Sequence, residues 1–298
     1  MQSVVSVVLC VRNGAAVVDR QLAALAAQDF DGPWELVVVD NGSSDATRDV
    51  VAPWIEGRPT WRLVSEPEPG VNRARNRGVT TTHAPLVVLC DADDAVEPAW
   101  LGAMVAGLGD ADVVGGALVD DPDARPRSPW RNEFQRDGLP VVHGHPYAMG
   151  ASLGFRRELF DLVGGFDPRY ERGADDVDFV VRAAGAGARV AFVPGARTRY
   201  RVKEDWRSLL RQQFGYGRGY QRLLELHRLP GDPRTRHQRT RALAHSAVGL
   251  LRHAGRVGDP EQRYAYLASV AHVGGEGVEL AVQTLGAAAN SVRNVQES

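Results

Sequence analysis

Three aspartates, Asp91, Asp93 and Asp94, crowd the end of an apolar run, Leu86-Val-Val-Leu-Cys90. Carboxylate oxygens are hard ligands of the kind that bind Mg2+ or Mn2+, and such an ion can bridge protein and phosphate oxygens. The plainer alternative is that these aspartates open a turn and cap the next helix. A second acidic cluster, Asp175, Asp176 and Asp178, heads a stretch with helical character, where the positive end of the helix dipole favours carboxylates whatever else they do.

Alternating strand and helix patterns position the first cluster. The strands read Val4 to Cys10, Glu35 to Val39, Trp61 to Ser65, Leu86 to Cys90 and Asp112 to Val119. Helical spacing of Val17, Val18, Leu22 and Leu25, then of Val50, Val51 and Trp54, and then of Trp100, Leu101, Met104, Val105 and Leu108 fills the gaps, with a polar helix from Asn72 to Gly78. This order predicts an α/β fold with a mostly parallel, Rossmann-like central sheet, whose ligands lie beyond the carboxyl ends of the strands. Residues 120 to 146 show no period and form a long excursion, the kind of loop that is more often functional than idle. A strand from Ala148 to Phe155, a short helix to Val163, the turn Gly164 to Pro168, the acid-headed helix from Asp175 and a closing strand from Arg189 to Val193 follow. Three helices, Asp205 to His227, Thr235 to Arg256 and Asp259 to Ala289, make a C-terminal helical region, and Ser291 to Ser298 should fray. The expected division is 1–203, with halves at about 1–119 and 120–203, and 204–298.

The chain has 298 residues, 44% of them hydrophobic, and a net charge of -2, so no global positive field gathers nucleic-acid phosphates. Between Arg197 and Arg241, however, thirteen Lys and Arg residues face four acids, a local charge suited to an anionic membrane surface or an acidic acceptor. The first ten residues lack a basic region, and no apolar run reaches membrane-spanning length, which points to a cytoplasmic protein, at most peripheral to the inner membrane face. Cys10 and Cys90 each end an apolar strand and read as core thiols.

A dinucleotide fold requires Gly-x-Gly-x-x-Gly after the first strand, but the loop here is Val11-Arg-Asn-Gly14. No Walker A sequence occurs, since the only lysine is Lys203. The acids after Cys90, through a divalent cation, are left to hold a diphosphate.

Five motifs, in order, resemble the inverting nucleotide-sugar glycosyltransferases of family 2, which have the GT-A fold. They are Val38-Val-Asp40-Asn-Gly-Ser-Ser-Asp45, Asn72-Arg-Ala-Arg75-Asn76-Arg-Gly78, Leu89-Cys-Asp91-Ala-Asp93-Asp94, Gly164-Gly-Phe-Asp167 and Asp175-Asp176-Val-Asp178-Phe. The resemblance implies that Asp40 accepts from a uracil ring flanked by Val11. It implies that Arg75 reaches the base or phosphates, that Asn76 supports its loop, that Asp91 contacts the ribose, and that Asp93 ligates Mg2+ or Mn2+. Asp94 would support that loop or a metal-bound water. Asp40 as a turn residue and Arg75 as a solvated side chain are the competing views.

The same resemblance makes Asp176 the general base that takes the proton of an acceptor hydroxyl, with Asp175 as acceptor-side support and Asp178 structural. Asp175 stands where relatives carry Glu, and the segment Arg197 to Arg201 lacks the histidine that helps many relatives bind metal. Gln212-Gln-Phe-Gly-Tyr-Gly-Arg-Gly219 resembles a family segment downstream of the base, which implies glycines that allow close backbone approach and an Arg218 that would face the diphosphate. The implied reaction moves a sugar from a UDP-linked donor to a hydroxyl acceptor by direct displacement. A non-catalytic nucleotide-sugar binder and a nucleotidyltransferase are the rivals. The C-terminal helices could also pair two copies of the chain.

Overall fold

The computed structural model describes residues 3–122, 135–170, 173–201, 206–227, 235–253 and 260–296. Two compact units divide the chain: one holds the sheet with six helices, the other the three C-terminal helices together with Gly173 and Ala174.

In the first unit β1 (Val5–Val11), β2 (Trp34–Asp40), β3 (Trp61–Ser65), β4 (Leu86–Asp91), β5 (Ala95–Val96), β6 (Val113–Asp120), β9 (Ser152–Arg156) and β10 (Val190–Tyr200) form one sheet, ordered β3-β2-β1-β4-β9-β6-β10-β5. A separate small hairpin joins β7 (Val141–Val142) to β8 (His145–Pro146). Alternate side chains of a strand leave by opposite faces, and both faces here are covered. Val5, Val7, Leu9, Leu36, Val38 and Val88 pack with α1 (Val18–Ala26), α2 (Thr47–Ile55) and α4 (Trp100–Asp110). Val8, Val37, Val39, Val87 and Leu89 pack with α3 (Val71–Thr81), α5 (Arg157–Val163) and α6 (Asp175–Gly185). Burial on both sides explains why these strands read as unbroken Val/Leu runs.

Strands β2, β1 and β4 run parallel, with β3 beyond β2. Their register sets Val11 opposite Asp40 and Cys10 opposite Asp91, so the expected donor residues line up across neighbouring carboxyl ends. The order reverses between β1 and β4, where open α/β sheets bind ligands.

Several expected boundaries move. The strand expected from Ala148 begins only at Ser152 and runs antiparallel between β4 and β6, which leaves residues 147–151 as a loop leading into it. The closing strand does not stop at Val193. It irregularly bridges the Pro-Gly-Ala break at 194–196 and pairs again from Arg197 to Tyr200 with β6, while Thr198 and Arg199 also pair with β5. Residues 123–134, the middle of the expected excursion, lie outside the described residues.

In the second unit α7 (Trp206–Leu226), α8 (Arg236–His253) and α9 (Pro260–Gln296) follow one another. The fraying expected from Ser291 is not seen, because α9 stays helical through Gln296. Helices α7 and α9 approach at backbone distance. A Cβ on Gly217 would lie 2.0 Å from the His272 carbonyl oxygen, and one on Gly275 would lie 2.0 Å from that of Phe214. The close backbone approach that glycine permits is made at Gly217 and Gly275 between these two helices. Glu279, buried on α9, accepts from Arg218 Nε at 2.9 Å and Arg222 Nη2 at 2.5 Å. No described helix is long and apolar enough to cross a membrane.

Candidate active site

The loops after β1 and β2 are braced against each other. The Asn13 amide N–H donates to Ser43 Oγ (2.9 Å), Ser44 N–H to Asn13 Oδ1 (2.8 Å), Gly14 N–H to Thr47 Oγ1 (2.9 Å) and Ala15 N–H to Asp45 Oδ2 (3.1 Å). Asn13 sits at φ 51°, a conformation its short polar side chain tolerates. Between these loops Val11 and Asp40 are buried. Asp40 Oδ1 takes the Ser43 N–H at 3.0 Å and Oδ2 lies 3.7 Å from Arg48, so the residue does hold its own turn, as the plainer view of the sequence had it.

Gln21 clamps the acidic loop at both ends, its Nε2 donating to the Asp91 carbonyl oxygen (3.0 Å) and its Oε1 accepting from Val96 N–H (3.0 Å). Asp91 and Asp93 are half-buried. Asp94 is buried and its Oδ1 accepts from Arg201 N–H at 2.8 Å, which ties the loop to the end of the Arg197 to Arg201 segment. That bond braces the loop. Among the described residues no group of three or more His, Cys, Asp or Glu could enclose a metal ion.

Arg75 occupies the ground between the two acidic clusters and is buried, which removes the view of it as a solvated side chain. Its Nη1 donates to Asp175 Oδ2 at 2.5 Å, Nη2 lies 3.6 Å from Asp91 Oδ1, and the Phe166 ring stands 5.7 Å from its Cζ. Burial works against its charge, but Asp175, Asp91 and Asp176 outweigh that effect and hold the guanidinium protonated. Burial lifts the Asp175 carboxyl to about 6, with Arg75 opposing and Asp176 adding. Burial chiefly, with Asp91 and Asp175, pushes the Cys10 thiol up to about 12 against the pull of Arg75, so it stays a neutral wall residue.

Asp176 is half-buried at the head of α6. Its Oδ2 accepts from Gly150 N–H at 2.7 Å and its Oδ1 from Val177 N–H at 2.9 Å. Tyr147 lies in its field, and burial together with that charge lifts the phenol to about 12. Asp178 points elsewhere, bonding Arg182 Nη2 at 2.5 Å, and is structural as expected.

Two motifs far apart in the chain interlock behind these groups. Asn76 exchanges hydrogen bonds with the backbone of Phe166, both at 2.8 Å, and Asn72 donates to the carbonyls of Asp167 (2.8 Å) and Tyr170 (2.6 Å). Phe166 stacks on Phe179 with centroids 4.6 Å apart, which joins this turn to α6. Arg218 sits in the helical unit on Glu279. Sequence reasoning missed Gln21, Tyr147 and Gly150; Gly150 looked like a strand interior, and nothing local marks it.

The profile of glycosyl transferase family 2 matches residues 6–164, and that of glycosyl transferase family group 2 matches residues 86–257. The chain belongs to glycosyl transferase family 2. It is a glycosyltransferase, which sets aside the nucleotidyltransferase and the non-catalytic binder. It is 26% identical over 222 residues to glycosyltransferase AglE of Haloferax volcanii, covering 72% of each chain. It is also 27% identical over 241 residues to the N-acetylglucosaminyl-diphospho-decaprenol L-rhamnosyltransferase of Mycobacterium tuberculosis, covering 66% of this chain and 75% of the relative. Solved structures share the GT-A fold of this glycosyltransferase. The mannosyltransferase PcManGT of Pyrobaculum calidifontis, in complex with GDP-Man and Mn2+, aligns with TM-score 0.67 at 21% identity, covering 94% of this chain and 88% of that one. TarS residues 1–349 of S. aureus with UDP-GlcNAc aligns with TM-score 0.56 at 17% identity, covering 96% and 92%.

Proposed function

We propose that this glycosyltransferase moves a sugar from a nucleotide-sugar donor, with a UDP-linked sugar the first candidate, to a hydroxyl acceptor by single inverting displacement. The carrying observation is the pair of acidic ends set around Arg75: Asp91 and Asp93 at the end of β4, Asp175 and Asp176 at the head of α6. Val11 and Asp40 flank the base, Arg75 and Asp91 take the ribose and phosphate side, and Asp176 accepts the proton of the attacking hydroxyl. Two backbone N–H groups fix the orientation of that carboxylate, which supports its use as a base. Solved relatives with GDP-Man and with UDP-GlcNAc support a nucleotide-sugar donor.

The half-buried carboxylates of Asp91 and Asp93 fit Mg2+ or Mn2+, which bind through one or two carboxylates and complete their shell with water and phosphate. Asp93 would hold the ion, and its chemistry there is to neutralise charge on the departing diphosphate. Asp94 keeps the loop in shape, and Arg75 adds fixed positive charge beside Asp91.

Nucleotide release from a panel of nucleotide sugars, with Mn2+, tests the reading. Asp176→Asn should lower turnover by about a hundredfold or more while nucleotide binding survives, and Asp93→Asn or a chelator should abolish turnover. Full turnover after either change would sink the assignment it tests. We also propose contact with an anionic membrane surface through α8, which carries four arginines and no acid and leaves Val248 and Leu251 exposed.

A further inference from the structure

Arg75 touches both halves of the site and has nowhere to go. Asp175 holds one end of its guanidinium at 2.5 Å, Asp91 faces the other at 3.6 Å, and Phe166 lies 5.7 Å from its Cζ. The remaining side is closed by Gly150, where an added Cβ would fall 2.0 Å from Nη2 and 2.6 Å from Cζ. A buried, ion-paired guanidinium could yield to that methyl only by leaving Asp175. The same Gly150 gives its N–H to Asp176, so one residue seats the arginine by lacking a side chain and orients the candidate base through its backbone.

We propose that Asp175 is a positioning residue that acts through Arg75, in a buried strut seated on Gly150 that sets donor-side Asp91 against acceptor-side Asp176. The proposal rests on the reading of Asp91 as a donor contact and Asp176 as the base. A buried carboxylate at 2.5 Å from a buried cation fixes where that cation sits. Asp175 thus faces the donor through its partner although it sits beside the base.

A double-mutant cycle read by nucleotide affinity tests this. UDP and GDP are titrated calorimetrically, with Mn2+, into the full chain as wild type, Asp175→Asn, Arg75→Lys, the double variant, Gly150→Ala and Asp176→Asn. Nucleotide release from UDP- and GDP-linked hexoses is measured alongside. Asp175→Asn and Gly150→Ala should each weaken the nucleotide by about tenfold and slow turnover, and the double variant should bind no more weakly than the worse single one. Asp176→Asn should keep wild-type affinity. A folded Asp175→Asn that binds nucleotide like the wild type, or strictly additive losses in the cycle, overturns the strut. Should Gly150→Ala fail to fold, the Arg75/Asp175 cycle still decides. Normal turnover of Asp176→Asn would remove the base assignment while the affinity cycle still judged the strut. A wild type that binds neither nucleotide overturns the donor reading and the strut with it.

Discussion

Asp175 and Asp176 are adjacent in the chain and do different work. One is buried against a guanidinium; the other presents a backbone-held carboxylate at a helix head. Burial raises the Asp175 carboxyl to about 6. Arg75 from α3 and its neighbour Asp176 bear on it, while Asp91 from β4 and Cys10 from β1 act on the same guanidinium. Above that pH it is ionised and pairs with Arg75; below it, the proton removes the charge that holds the guanidinium. Turnover should therefore fall as pH drops through about 6, and this limb should be missing in Asp175→Asn, whose amide cannot titrate. A pH profile of nucleotide release checks it; an unchanged limb in the variant would assign it to another group.

At the scale of elements, parallel strands bring Val11, Asp40 and Asp91 together, and paired loops keep them there. The helical unit uses a different device, in which glycines on α7 and α9 let two backbones meet and a buried Glu279 takes two arginines. Alanine at Gly217 or Gly275 would place a methyl 2.0 Å from a carbonyl oxygen of the facing helix, which must then retreat. Each substitution should destabilise this helix pair by about 1–3 kcal/mol or more, seen as faster cleavage after Leu226 in limited proteolysis. Gly249, with nothing near its would-be Cβ, is the control, and its alanine variant should digest like the wild type.

At the scale of the molecule, charge is unevenly spread. A chain of net charge -2 carries a helix, α8, with four arginines, three histidines and no acid. Exposed Val248 and Leu251 on α8, and exposed Leu267, Val270, Val278 and Val282 on α9, add apolar surface to the same unit. Vesicles of anionic phospholipid should sediment the protein at low salt, zwitterionic vesicles should not, and Leu251→Glu should reduce binding several-fold. Dimers in light scattering without vesicle binding would instead assign this surface to a second copy of the chain.

Much of this was legible in the sequence. Val and Leu runs ending in aspartates specify strands buried on both faces with polar ends, because period and burial are local properties of a segment. The ordered motifs implied the family and named Asp40, Arg75, Asp91, Asp93 and Asp176. Tertiary structure decided what each motif leans on. Asn72 and Asn76 meet a turn about ninety residues away, and the Arg197 to Arg201 segment, which read as a departure from the family, reaches Asp94 through its backbone. Gly150 matters only because a guanidinium from α3 fills the space beside it, Gly217 only because α9 lies against it, and Gly219 only because Gly173 does. Close approach is a property of two segments at once, so neither segment records it alone.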